Sequence, residues 1–351
     1  MAKVGIVRDE RYLLHDMGGY HPESPDRLRA IYQTLGQKEM EGLFVEIPSR
    51  AATREEIETI HAPSYVDLVA GTAGKPHVRL DPDTSTCSAS YEAAIWAVGG
   101  LLEAIDTVME GKMDRTFALV RPPGHHAEKA RAMGFCLFNN IAIGARHVQK
   151  RHGLDRILIV DWDLHHGNGT QNAFYAEDEV LYFSTHQYPF YPGTGGANEI
   201  GQGEGKGYTV NVPLGVGCGD SEYANIFTHI LTPIALTYQP QLILVSAGFD
   251  THYRDPIGGM RVTETGIARL MNILKGIAQS VCSGRIILTL EGGYDLTALS
   301  ESARAVLLEM RDDDSWVDQE KCGEQEQADY KHIERVVEII QKIQAEYWKC
   351  F

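Results

Sequence analysis

Short apolar runs alternate with longer amphipathic segments along most of the chain. Seven runs rich in β-branched residues predict strands, and they lie at 3–7, 116–120, 156–160, 180–184, 208–212, 242–246 and 285–290. These runs are continuous rather than alternating in polarity, which is typical of parallel strands covered on both faces. Between them, spacing near 3.6 residues predicts helices at 88–110, 139–153, 221–238 and 263–281.

Local signals sharpen two of these elements. Pro233 lies inside the segment 221–238, where it should kink or break the helix. Thr53 followed by Glu56 forms a capping box, which predicts a short helix at 54–60.

The alternation of strands and helices predicts one α/β domain over residues 1–351, with a mainly parallel sheet and helices on both faces. Residues 311–329 are acidic and polar, and they predict a loop. Residues 330–349 predict a C-terminal helix, because Ile333, Val336, Val337, Ile340 and Ile343 recur at helical spacing. This apolar stripe either packs on the body of the domain, which we favour, or binds a partner.

The chain has 351 residues, of which 43% are hydrophobic, and a formal net charge of -16. No cluster of Lys or Arg is long enough to suggest a nucleic-acid interface. The acidic surface either serves solubility or steers cationic substrates toward the protein.

Six cysteines are scattered without a CxxC pair, so a thiolate zinc site is not expected. Few, unpatterned cysteines are typical of a reducing compartment. The first ten residues lack the apolar run of a signal peptide, and no segment has the apolar length that crosses a bilayer. We therefore expect a cytoplasmic protein with neither a nucleic-acid nor a membrane partner.

Polar residues with catalytic potential follow the carboxyl ends of four predicted strands. They are His125 and His126 after 116–120, Asp161, Asp163 and His165 after 156–160, Asp250 after 242–246, and Tyr294 after 285–290. Ligands of open α/β sheets bind beyond the carboxyl ends of the strands. The sequence therefore predicts that these four stretches converge on one rim of the sheet.

Asp163, His165 and Asp250 form a candidate metal site. Residues 163 and 165 alternate along an extended backbone, so their side chains point to the same side. Two carboxylates and one imidazole can hold a divalent ion and leave a position open for water, as catalytic zinc sites do. The alternative is an ion-paired polar strand end, but the second carboxylate, after Gly248, favours the metal.

The tandem histidines follow a rigid Pro-Pro-Gly turn, which favours a fixed catalytic placement. One imidazole could act as general base toward water and then as general acid toward a leaving amine. Asp161 is not one of the three candidate metal ligands. It could orient one of these histidines and favour its charged form.

Tyr294 follows Gly292 and Gly293, which let the backbone approach the site closely. A phenol there could donate a hydrogen bond to a developing oxyanion. A metal, a proton acceptor and an oxyanion donor together indicate metal-assisted hydrolysis of an amide.

Five motifs resemble those of the zinc-dependent histone deacetylase family, whose superfamily includes bacterial acetylpolyamine amidohydrolases and acetoin-utilisation proteins. They are RPPGHHA (121–127), GFCLFNN (134–140), VDWDLHHGNGTQ (160–171), SAGFD (246–250) and EGGYD (291–295). The resemblance covers about residues 15–310. It implies an arginase-like α/β fold and hydrolysis of N-acetyl groups from amines.

The resemblance also implies roles for individual residues. One Zn²⁺ would be bound by Asp163, His165 and Asp250, with His125 and His126 as the tandem histidines and Tyr294 as the transition-state tyrosine. The remaining positions are Gly134, Phe135, Gly292 and Gly293 in the acyl tunnel, Tyr191 opposite Phe135, Arg27 in a product-release channel, and Asp161 and Ser184 at a structural K⁺ site.

Two positions depart from relatives within this family. Asn168 stands where class I members carry a second Asp behind the tandem histidines, so the chain is similar to class II. A neutral Asn cannot raise the pKa of His126 by charge as an Asp can. Ile257 stands in the tunnel region, where polyamine-specific class II relatives have a gatekeeping Glu, which weakens a polyamine assignment.

Three other functions compete with that of an acyl-lysine deacetylase. An acetylpolyamine amidohydrolase is the main alternative. A binuclear ureohydrolase would need a carboxylate where this chain has Gly167, and a non-catalytic acetyl-ligand binding protein would usually lack Tyr294 or a tandem histidine. The sequence leaves the substrate open between acyl-lysine and a small acylated amine, and it does not indicate an oligomeric state.

Overall fold

Eight parallel strands form the central sheet of the computed structural model, which describes residues 1–313 and 315–351. In chain order the strands are β1 (Val4–Val7), β2 (Val45–Glu46), β3 (Val78–Arg79), β4 (Ser85–Thr86), β5 (Arg115–Ala118), β6 (Ile157–Asp161), β7 (Val180–Gln187), β8 (Thr209–Leu214), β9 (Leu242–Ala247) and β10 (Ile286–Leu290). The spatial order in the central sheet is β2-β1-β5-β10-β9-β6-β7-β8, and β3 and β4 form a separate antiparallel pair.

Twelve α-helices occur among the described residues. They are α1 (Asp26–Leu35), α2 (Arg54–Ile57), α3 (Pro63–Ala70), α4 (Ser90–Met109), α5 (Asn140–His152), α6 (Asn168–Phe174), α7 (Asp220–Ile226), α8 (Thr232–Tyr238), α9 (Glu264–Val281), α10 (Leu296–Met310), α11 (Gln319–Asp329) and α12 (Glu334–Gln344). Every residue of β5, β6, β9 and β10 is buried, which requires cover on both faces of the sheet. The predicted α/β fold with a parallel sheet is confirmed, and so is each of the seven predicted strands.

The four central neighbours β5, β10, β9 and β6 are the strands that lead into the predicted catalytic stretches. Because all of them are parallel, their carboxyl ends meet at the same edge of the sheet. Hydrogen-bonded register also brings Asp161 level with Ser246 at this edge. The sheet order therefore explains how segments up to about half the chain apart arrive at one site.

The segment around Pro233 breaks as the sequence predicts. Helix α7 gives way to a π-helical turn at Phe227–Leu231, and α8 begins one residue before the proline. Proline has no amide hydrogen to donate to the preceding turn of a helix, so a helix boundary at this point is expected. The hydroxyl of Thr232 donates to the carbonyl of Phe227 at 2.8 Å.

The prediction of a loop over 311–329 is wrong for its second half. Residues 319–329 form α11, which begins after Asp318, whose carboxylate accepts the amide of Lys321 at 3.1 Å. Its sequence is rich in Glu and Gln, which form helices well although they supply no apolar stripe. The helix is tied to the domain by Glu326, which accepts from Arg269 at 2.7 Å. Asp314, within the predicted loop, lies outside the described residues.

The C-terminal helix is shorter than the predicted 330–349. A 3₁₀ turn occupies Tyr330–His332, and α12 ends at Gln344. Val337 and Ile340 are buried, so the apolar stripe packs on the domain as we favoured. Beyond the helix, the indole of Trp348 donates to the carbonyl of Gly207 at 2.9 Å. None of the helices in the described ranges is apolar over a membrane-spanning length.

Close packing of α4 against the segment 50–52 generates a stability prediction. A Cβ at Gly99 would overlap the carbonyl oxygen of Arg50 and lie 2.7 Å from the amide nitrogen of Ala52. Gly99→Ala should therefore lower the free energy of unfolding by about 1–3 kcal/mol, the usual cost of overpacking. Urea denaturation measures this change.

The matched control is Gly276→Ala in α9, because a Cβ there meets nothing within 4 Å. This substitution should raise the free energy of unfolding by about 0.5–1 kcal/mol, since alanine loses less backbone entropy than glycine in a helix. A neutral or stabilising effect of Gly99→Ala would contradict the close packing at α4.

Candidate metal and catalytic site

The four strand ends open into one cavity of about 180 Å³. Nine of the residues singled out in the sequence line it, namely His125, His126, Gly134, Phe135, His165, Tyr191, Ile257, Gly292 and Tyr294. Three others that the sequence analysis did not identify also line it, namely Asp83, Pro123 and Phe190. Phe135 and Tyr191, which we expected to face each other, both line this cavity.

Asp163, His165 and Asp250 meet at the base of this cavity, and all three are buried. One ligand atom from each lies within 4.8 Å of the other two. The Nδ1 atom of His165 lies 3.2 Å from Asp163 Oδ1 and 3.1 Å from Asp250 Oδ2. The three donors therefore face a common centre, as ligands of one ion do.

Backbone groups hold the two carboxylates in place. Asp250 Oδ1 accepts the amide of Leu164 at 2.9 Å, and Asp163 Oδ2 accepts the amide of Gly292 at 2.8 Å. A Cβ at Gly292 would overlap the carboxylate of Asp250, and a Cβ at Gly248 would overlap that of Asp163. Glycine at both positions is therefore required by the close approach of the backbone.

The electrostatics of this group fit a bound cation. Burial and the charge of Asp163 raise the pKa of Asp250 well above its usual value. Burial alone would also raise the pKa of Asp163, but the charges of His125 and His165 outweigh it and lower the pKa. Two adjacent buried carboxylates resist ionising together, and a divalent ion removes that penalty. Two carboxylates and one imidazole are also ligands that zinc accepts.

The tandem histidines have different partners. The Nδ1 atom of His125 lies 3.1 Å from Asp161 Oδ2, and that of His126 lies 2.8 Å from Asn168 Oδ1. Their ring centroids are 4.0 Å apart. Each imidazole is thus fixed through Nδ1, and one faces a carboxylate while the other faces a neutral amide.

The two histidines also differ in pKa. Burial alone would lower the pKa of His125, but the charges of Asp161 and Asp163 outweigh it and raise the pKa to about 10. Burial, and then the charges of His125 and His165, hold the pKa of His126 well below its usual value. His126 is therefore neutral at neutral pH and able to accept a proton, next to a charged neighbour.

Tyr294 lines the same cavity as the tandem histidines, and its ring meets that of Phe135 edge-on at a centroid distance of 5.9 Å. Burial raises the pKa of its phenol well above the usual value, so the hydroxyl stays a donor. Buried Arg27 holds the turn that carries Tyr294, because its Nε donates to the carbonyl of Gly293 at 2.7 Å. Arg27 therefore helps to fix the position of Tyr294.

The expected K⁺ ligands are neighbours in the sheet. Asp161 is level with Ser184 of β7, and both are fully buried. Asp161 also accepts the hydroxyl of Tyr182 at 2.9 Å, while the hydroxyl of Ser184 lies 2.9 Å from His186 Nδ1.

Several supporting residues escaped the sequence analysis. Glu291 is fully buried and accepts the amide of Gly124 at 2.7 Å, and it also bonds Ser246 at 3.0 Å. It was recognisable, because it is a carboxylate directly after a buried strand, as Asp161 is. Glu128 accepts the side-chain amide of Asn168 at 2.6 Å, and no local pattern signals a contact across 40 residues.

Comparison with known proteins identifies relatives over the whole fold. A family model described as histone deacetylase domain matches residues 21–310. A probable deacetylase of Archaeoglobus fulgidus is 36% identical, with 99% of each chain covered. The human polyamine deacetylase HDAC10 is 42% identical over 80% of this chain, which spans 43% of the human protein. The crystal structure of the HDA15 HD domain superposes with a TM-score of 0.89 at 38% identity, covering 99% of this chain and 96% of that one.

The loop that carries the tandem histidines and Phe135 is clamped by His61, which is buried. Its Nε2 accepts the amide of Asn139 at 2.9 Å, and its Nδ1 lies 2.9 Å from the carbonyl of Glu128, to which it donates. Both bonds require the neutral imidazole, and burial lowers the pKa of His61 to about 4.

A pH dependence follows from this clamp. Because the folded pKa lies below the unfolded value of 6.5, the stability contributed by His61 is present above pH 6.5 and is lost as the pH falls toward 4. The stability advantage of wild type over His61→Gln should shrink by about 2 kcal/mol between pH 7.5 and pH 5. Urea denaturation at both pH values measures it.

The control is His77→Gln, at an exposed histidine, which should leave the pH dependence of wild type unchanged. A constant difference between wild type and His61→Gln across this pH range would show that His61 does not titrate as the clamp requires.

Proposed function

The chain belongs to the histone deacetylase family, and from this premise we propose that it is a zinc-dependent amidohydrolase that removes acetyl or other acyl groups from lysine side chains or related amines. The observation that carries the proposal is the convergence of Asp163, His165 and Asp250 at the base of a cavity that also presents His126 and Tyr294. Hydrolysis of an acetyl-lysine peptide by the purified protein, and its loss on chelation, tests the proposal.

In this proposal Asp163, His165 and Asp250 would hold the zinc ion. When bound, zinc supplies Lewis acidity, which polarises a carbonyl oxygen and lowers the pKa of a water molecule. The protein's own part is to keep the three donors fixed by backbone hydrogen bonds and to leave the side facing the cavity open.

His126 would act as general base and then as general acid. It is neutral, and its Nδ1 is engaged by Asn168, so its Nε2 is the atom left to receive a proton from water. The same atom would return the proton to the leaving amine. His125, held charged by Asp161, would add a fixed positive charge beside the reacting atoms without competing for that proton.

Tyr294 would stabilise the oxyanion that forms as water adds to the amide carbonyl. Its phenol is protonated, faces the cavity and is set on a turn braced by Arg27. A donor placed before the reaction needs no reorganisation when charge develops, and such groups supply a large part of amide hydrolysis rates.

The shape of the cavity supports an acyl-lysine substrate. Its walls include the aromatic rings of Phe135, Phe190 and Tyr191, and Phe190 stacks on His165 at a centroid distance of 5.6 Å. A narrow apolar channel that ends at polar groups suits an alkyl chain with a polar end. A cytoplasmic location and a structural K⁺ ion at Asp161 and Ser184 stay predictions.

An acetylated polyamine is the second candidate substrate. The name of the human relative supports it, and so does the net charge of -16, since an acidic protein attracts cations. Against it stands Ile257, which lines the cavity and offers a cation no charge partner.

Tyr294→Phe tests the catalytic assignment. The substitution removes only the hydroxyl, so the fold and the bound zinc should be retained while kcat falls roughly 10²–10³-fold. The measurement is turnover of an acetyl-lysine peptide together with the metal content. Tyr330→Phe, at a tyrosine beside His229 and away from the cavity, is the matched control and should keep full activity. Normal turnover by Tyr294→Phe would show that another group stabilises the oxyanion.

Ile257→Glu tests the choice of substrate. Wild type should prefer an acetyl-lysine peptide over acetylspermidine, and the variant should shift kcat/KM toward acetylspermidine, because a carboxylate at the cavity attracts the polyamine cation. Both substrates are measured in one buffer at physiological ionic strength, where long-range steering is largely screened. Ile257→Gln, similar in size and uncharged, is the control. A wild-type preference for acetylspermidine would make the polyamine the better assignment.

A further inference from the structure

A second group of metal-ligating side chains lies between α4 and α5. Asp106 of α4 faces His147 and His152 of α5, and one ligand atom from each lies within 4.8 Å of the others. Both histidines present Nε2 to the same carboxylate oxygen, at 2.8 Å from His147 and 2.7 Å from His152. Since α5 begins at the catalytic loop, His147 and His152 lie about 10 Å and about 18 Å along the helix from that loop.

The side chains of the cluster are oriented as the ligands of a metal site are. Asp106 and His147 are buried, and His152 is half-buried. The other nitrogen of His147, Nδ1, faces the carboxylate of Glu56 at 4.0 Å. A histidine whose far nitrogen faces a carboxylate while its near nitrogen joins other donors is the usual arrangement around a bound metal.

The charged side chains around the cluster do not prevent a cation from binding there. Glu56 is held by Arg50, which donates to it at 2.7 Å and also to Glu103 at 2.8 Å. Arg151 Nε lies 3.4 Å from the second oxygen of Asp106, but its side chain is 55% exposed and free to turn into solvent.

Open space adjoins the cluster. His147 lines a cavity of about 360 Å³ together with Glu56, Lys150 and Arg151. His147 therefore lies at the edge of an open space that can hold water.

We propose that Asp106, His147 and His152 form a second metal site, for a zinc-class divalent ion, separate from the catalytic centre. Two imidazoles and one carboxylate suit zinc, cobalt and nickel better than calcium or magnesium, which prefer oxygen ligands. Ligand atoms of a tetrahedral zinc site are about 3.3 Å apart, so the two nitrogens must move away from the carboxylate oxygen by about half an ångström. His152 is the last residue of its helix, where such movement is easy.

Metal stoichiometry on the full chain tests this site independently of catalysis. Protein stripped by a chelator is dialysed against micromolar Zn²⁺ at pH 7.5, and bound zinc is counted by mass spectrometry. Wild type should bind two ions per chain, and the double variant His147→Gln, His152→Gln should bind one. The control His77→Gln, His332→Gln removes two imidazoles at exposed positions and should still bind two.

Asp250→Asn separates the two sites, since it weakens only the catalytic centre. If wild type binds one ion, lost on Asp250→Asn and kept by the His147, His152 double variant, the second site is overturned while the proposed function stands. If the single ion is lost only on the double variant, the second site stands and the zinc assignment of the catalytic centre fails.

Diffraction keeps the proposal testable if the double variant misfolds. Crystals of wild type soaked in Co²⁺ should show an anomalous peak between Asp106, His147 and His152. Density without a peak at that position, with a peak at the catalytic ligands, would overturn the second site.

Discussion

Burial of two carboxylates side by side is the constraint on which the rest of the site depends. Asp163 and Asp250 come from neighbouring parallel strands, and neither reaches bulk water. Their position is fixed by the amides of Leu164, after β6, and Gly292, after β10, and glycines at 248 and 292 allow the backbone to come close enough. A chain that folds without a cation must protonate one carboxylate or compensate the two charges with the imidazole of His165, so folding and metal affinity are linked.

The same edge of the sheet distinguishes two histidines that are adjacent in sequence. Asp161 gives His125 a negative partner, while Asn168 gives His126 a neutral one. Asn168 therefore leaves His126 without the carboxylate charge that keeps a proton on His125. Glu128 fixes the amide of Asn168 in turn, so the orientation of its carbonyl oxygen toward His126 is set by a residue outside the cavity.

Much of this arrangement was readable from the sequence, because its signals are local. Continuous apolar runs located the strands, and polar residues directly after them located the site. The acidic segment before Tyr330 was misjudged because α11 has no apolar stripe, and the sequence does not show that Glu326 pairs with Arg269. The cluster at Asp106 was missed for a related reason, since its members lie 41 and 46 residues apart and are paired only by the packing of α4 on α5.

The contact of the C-terminal segment with β8 has a consequence for the solution behaviour of the protein. β8 is the last strand of the sheet, and its free side would offer unpaired backbone groups to another chain. Gln344 donates to the carbonyl of Thr209 at 3.3 Å, and Trp348 donates to that of Gly207 just before the strand. α12 and the residues after it therefore cover the edge of β8 and hinder its pairing with another chain. We expect that removing these residues would lower the solubility of the protein even where the active centre is unaffected.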